Sequence, residues 1–141
     1  MIRLNKILTP VDGSDHSMRA ARYAAALAGM VDAEIILVHC HKPFPVILGD
    51  PYYQKAVIAI LEKSNEMLEP FRQLYLEHNL RFSERILEEP AGKAIAEVSE
   101  IEHCDLIIMG SRGQSDLKGL VIGSVAHRVL HSVTCPVLIV R

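Results

Sequence analysis

The stretch Leu106-Ile107-Ile108-Met109-Gly110-Ser111-Arg112-Gly113, followed nine residues later by Gly123-Ser124, decides the fold. Four apolar residues in a row read as a strand covered on both faces, which belongs to a parallel sheet flanked by helices. A glycine-punctuated loop follows, and the amphipathic pattern from Val125 to His131 marks a helix starting at Ser124. Such a junction can hold an anion. Glycine lets backbone N–H groups approach a ligand, and the first turn of a helix leaves donors unpaired. The same geometry also serves as a plain turn, so the rest of the chain has to decide.

Working outward, strand-length apolar runs alternate with helical patterns, the order expected of an α/β domain with a parallel sheet. Strands are predicted at Lys6–Val11, Glu34–His39, Arg81–Leu87, Leu106–Met109 and Val137–Val140. Ser14 or Asp15 can cap an alanine-rich helix over Ser17–Ala28, with Gly29 as its stop signal. Apolar residues at helical spacing predict a second helix over Gln54–His78, kinked or split at Pro70. A third runs from Pro90 to Ile101. Between His41 and Pro51 three prolines interrupt the pattern, and a loop of this length is either a binding flap or a surface excursion.

At 141 residues with no internal repeat or linker, the chain reads as one domain spanning residues 1–141. The net charge is −2, and arginine is not clustered with aromatics, so no nucleic-acid footprint is evident. No apolar run is long enough for membrane insertion. Met1-Ile2-Arg3-Leu4 leads directly into a strand pattern, and three scattered cysteines (Cys40, Cys104, Cys135) read as buried reduced thiols. Both features point to the cytoplasm.

Two phosphate-binding signatures are ruled out. No Lys-[Ser/Thr] follows the candidate glycines as a P-loop requires, and Asp12-Gly13-Ser14-Asp15 lacks the dinucleotide fingerprint. The spacing Gly110-x2-Gly113-x9-Gly123-Ser124 instead resembles the ATP-binding motif of the universal stress protein (UspA-like) family. Ile7-Leu8-Thr9-Pro10-Val11-Asp12-Gly13-Ser14 resembles that family's opening strand, and Thr134-Cys135-Pro136-Val137 its closing strand. The resemblance covers the whole chain and places it in the ATP-binding branch. It implies a doubly wound five-stranded parallel sheet in the order 3-2-1-4-5, helices on both faces, of the adenine nucleotide alpha hydrolase-like type.

The resemblance also assigns roles. Asp12 matches the acidic position against adenosine, with Pro10 and Val11 as the wall beside it. Val38 flanks adenine through its backbone. Met109 and Gly110 pass under the sugar. Gly113, Gly123, Ser124, Val125 and Ala126 match the phosphate cradle. Ala126 departs from the family's usual Ser or Thr and removes a hydroxyl donor. Arg112 is either a charged fork toward the terminal phosphates or a solvated turn residue.

The implied ligand is ATP, with Mg or Mn as an open question. The acids evident near this motif are Asp12, Asp15 and Asp116, and no magnesium box or arginine finger accompanies them. No catalytic residue is assigned, and a nucleotide-dependent switch is favoured over the alternative, a slow ATP hydrolase or nucleotidyl-transfer enzyme using the same pocket. His39 and His41 share a strand face but lack partners at zinc-site spacing, and His127 and His131 share a helix face. No metal site is assigned. Val137–Val140, apolar on both faces, falls at the sheet edge in the implied order. That edge invites association, and the resemblance implies a homodimer through that strand, in a stress-response protein acting on an unidentified protein client.

Overall fold

The computed structural model describes residues 1–113, 119 and 121–141. The strands are β1 (Lys6–Pro10), β2 (Glu34–His41), β3 (Phe82–Glu88), β4 (Leu106–Gly110) and β5 (Val137–Val140). They form one parallel sheet in the order β3-β2-β1-β4-β5. The helices are α1 (Asp15–Val31), α2 (Tyr52–Glu77), α3 (Ala91–Ile101) and α4 (Ser124–Ser132).

Strict alternation along the central strands sends every second side chain to each face. Ile7, Ile35, Leu37, Leu106 and Ile108 join the alanines of α1 and Leu68, Phe71 and Tyr75 of α2 in one core layer. Leu8, Ile36, Val38, Ile107 and Met109 join Ile95 and Val98 of α3 and Ala126 and Val129 of α4 in the other. Uninterrupted apolar strands are therefore required by burial on both sides. Small side chains on α1 (Ala20, Ala21, Ala24, Ala28), all fully buried, let that helix lie close to the sheet.

Besides shifts of one or two residues at other element ends, three features differ from expectation. Helix α1 runs through Gly29 and stops at Asp32, which takes a left-handed conformation (φ 57°) while its N–H donates to the Ala28 carbonyl. Aspartate tolerates that region, so glycine is not needed there. Helix α2 continues as one element through Pro70, which lies on the exposed face. The buried Leu68, Phe71 and Tyr75 hold the helix on both sides of the lost hydrogen bond. Strand β2 extends two residues further, to His41, because β3 pairs with it over that whole length.

Candidate functional site

The order β3-β2-β1-β4-β5 reverses direction between β1 and β4, and loops leaving those neighbouring strands diverge. Above this point lies a cavity of about 660 Å³, within the range of small-molecule sites. Its floor is made of strand ends: Pro10 at the end of β1 and Val11 just after it, Val38 on β2, and Met109 and Gly110 on β4. Asp12, Arg112 and Gly113 line it from the loops, and Gly123, Ser124, Val125 and Ala126 from the start of α4. All twelve residues singled out from the sequence thus meet at one place. Asp116 lies outside the described residues.

Ser14 caps α1, its hydroxyl accepting from the Ser17 amide at 3.2 Å. Asp12 is held in the turn before that cap, its Oδ1 accepting the Ser14 N–H at 2.9 Å. Across the crevice, Gly113 lies so close that a Cβ there would overlap the other carboxylate oxygen of Asp12. Gly110 is equally constrained, since a Cβ would stand 2.9 Å from the backbone carbonyl of His16. Glycine at these two positions lets β4 and its loop approach the start of α1.

Helix α4 begins without a side-chain cap. Gly123, at the cap position, has its N–H committed to the Ser111 carbonyl at 2.6 Å, and its carbonyl accepts from His127. The amides of Ser124, Val125 and Ala126 have no acceptor among the described residues. These three amides, rather than that of Gly123, are the donors the helix offers to the cavity, and the positive end of its dipole adds to them. The Ala126 methyl packs in the core, so this position contributes a backbone group whatever its side chain.

Sequence reasoning missed part of the lining. Ile60, Lys63, Ser64 and Met67 from α2, and Ala91 and Ile95 from α3, close the cavity on its apolar side. Nothing local marks them, because their periodicity reads as ordinary helix–sheet packing. His39, Cys40, His41 and Lys42 line the cavity from the extended end of β2. His39 donates Nδ1–H to the Val11 carbonyl at 3.0 Å. Burial pushes its pKa down, partly offset by that hydrogen bond. Burial likewise pushes the Cys40 thiol up to about 11, so it is a poor nucleophile. The Pro43–Pro51 segment lies outside the lining, and Val46, Ile47 and Leu48 in it are exposed. Among the described residues no three His, Cys, Asp or Glu side chains group closely enough to hold a metal ion.

The sequence model of the universal stress protein family matches residues 3–141. This chain belongs to that family. It is 35% identical over 135 residues to a universal stress protein of Thermus aquaticus, covering 96% of this chain and 97% of that one. In structure it is similar to the protein MJ0577 of Methanocaldococcus jannaschii, with a TM-score of 0.88 and 25% identity over 99% of this chain and 96% of the other. A universal stress protein from Archaeoglobus fulgidus, solved in complex with dAMP, shares the fold at a TM-score of 0.71 and 19% identity, each chain fully covered. The fold these structures share is a five-stranded parallel sheet covered by helices on both faces, and no helix among the described residues is long and apolar enough to cross a membrane.

Proposed function

We propose that this universal stress protein binds an adenine nucleotide, ATP in the first instance, and acts in the cytoplasm as a nucleotide-dependent switch in the stress response. The observation that carries the reading is the pairing of the Ser124–Ala126 amides, which have no acceptor among the described residues, with the Asp12–Gly113 contact across one cavity. The cavity is chemically divided. Its α2 and α3 side presents Ile60, Met67 and Ile95, suited to a flat apolar base. Asp12 lines the cavity from the loop after β1, and a carboxylate there can accept from ribose hydroxyls. The α4 end presents backbone donors and Arg112, suited to phosphates. Mg or Mn, if it accompanies the nucleotide, has phosphate oxygens and Asp12 as its natural ligands.

The homodimer belongs to the same proposal. β5 is an edge strand, and its four residues stay half-exposed. A second copy pairing across a two-fold axis satisfies that edge. Nucleotide occupancy changes the surface around the crevice, which a protein client distinguishes only if it binds loaded and empty states differently.

Calorimetric titration of the purified chain with ATP tests the reading. Saturable binding, with a rise in the unfolding midpoint on adding ATP, is the expected result. No heat and no stabilisation at millimolar ATP would reject it. Metal-dependent phosphate release well above background, lost in Asp12→Ala, would replace the switch with a hydrolase.

A further inference from the structure

The seven histidines divide by what their rings do. Nδ1 of His39, His41 and His78 is bonded to the carbonyls of Val11, Lys42 and Leu74, and Nδ1 of His16 meets the Arg19 guanidinium. His103 stands in the turn before β4 with φ at 54°. His127 and His131 differ from all of these. They lie four residues apart on α4, exposed, with ring centroids 4.5 Å apart and planes inclined by 57°. Neither ring makes a hydrogen bond or ion pair among the described residues.

Two imidazoles at this spacing on one helix face can share a metal ion, as they do in His-Glu-x-x-His helices. Metal–nitrogen bonds of about 2.0–2.1 Å need the two nitrogens roughly 3 Å apart. Rings already this close reach that arrangement by rotation about χ2, which is soft for an imidazole. We infer that His127 and His131 form a bidentate site for an imidazole-preferring divalent cation of the Zn²⁺, Ni²⁺ or Cu²⁺ class. A donor set of two nitrogens selects these ions over Mg²⁺ and Ca²⁺, which take oxygen ligands. Among the described residues no third protein ligand joins the pair.

Position reinforces the chemistry. His131 occupies the last turn of α4, where the helix carbonyls favour positive charge. The chelate ties two successive turns of a nine-residue helix, and the opposite end of that helix presents the Ser124–Ala126 amides to the cavity. An ion bound only by the formed helix stabilises it by mass action. The site is separate from the crevice and does not depend on nucleotide.

The test is titration of the full chain with Zn²⁺ alone in a non-coordinating buffer, followed by calorimetry, with Cu²⁺ electron paramagnetic resonance as a direct view of the ligands. One ion per chain and a two-nitrogen signature are expected. His127→Gln and His131→Gln keep helix propensity and should each weaken binding by about tenfold or more, since even partners one shell out contribute about that much. Affinity should fall on acidification, because protons compete for the same nitrogens. His103→Gln should bind as the native chain does. Binding within twofold of native in either α4 variant, or one ion per two chains with metal-dependent association, would overturn the single-helix chelate.

Discussion

Gly113, in the loop after β4, faces the carboxylate of Asp12 at the end of β1 with no room for a Cβ between them. Two residues 101 positions apart in the chain thus form the two walls of the crevice at the point where strand order reverses. The contact makes their contributions to ligand binding interdependent.

Replacing Gly113 by Ala should displace the Asp12 side chain, because the blocking atom is the movable end of a carboxylate. Asp12→Ala removes the same group outright. Each should weaken ATP binding about tenfold or more, the worth of hydrogen bonds to a charged acceptor. The double variant should be no weaker than the poorer single one, because both remove one interaction. Calorimetric affinities for the four proteins complete the cycle. Additive losses would mean the two residues act separately.

Gly110 should behave differently, since its neighbour is the His16 backbone at 2.9 Å and cannot swing aside. Gly110→Ala should destabilise the domain by about 1–3 kcal/mol through overpacking. Gly29 is the contrast. Its Cβ would make ordinary contact with Leu80 at 3.9 Å inside a helix. Gly29→Ala should therefore stabilise by about 0.5–1 kcal/mol. Urea unfolding midpoints without ligand measure both.

Alkaline pH should destabilise the fold. Burial pushes the thiols of Cys40 and Cys104 up to about 11 and raises Tyr75 as well. An unfolded thiol titrates near about 8.5, so above that pH the unfolded chain releases protons that the native state retains. Stability is complete below about pH 8.5 and declines as pH rises toward about 11. Unfolding midpoints between pH 7 and 10.5 should fall accordingly, with a shallower fall in Cys104→Ala. A flat profile would contradict the burial of these groups.

Along β5, the carbonyls of Pro136 and Val140 accept from Ile107 and Ser111 on the β4 side. Alternation then points the backbone groups of Val137 and Ile139 away from β4, toward the open edge. Ile139→Pro removes an outward N–H while sparing the β4 ladder. Light scattering should give a dimer for the native chain at micromolar concentration and a monomer for the variant, with the circular dichroism spectrum kept. A native chain that scatters as a monomer would end the dimer proposal.

What was readable in advance follows from locality. The Leu106–Gly113 stretch, the alternation along β1 and β2, and the Ser14 cap carry their structural meaning within a few residues, where backbone sterics and hydrophobic period act directly. Gly29 and Pro70 misled because tertiary packing overrode a local signal. The buried faces of α1 and α2 hold both helices continuous past residues that weaken an isolated helix.

The amino-acid order by itself determined the five strands, the glycine spacing after the fourth, and the family to which they point, because these depend on period and on residue type. Only the three-dimensional arrangement decided that Gly123 spends its amide on Ser111, that Ile60, Met67 and Ile95 close the cavity, and that Asp12 abuts Gly113. Each of those outcomes joins segments far apart in the chain. Such contacts are set by how helices and sheet pack against one another, which no short window of residues encodes.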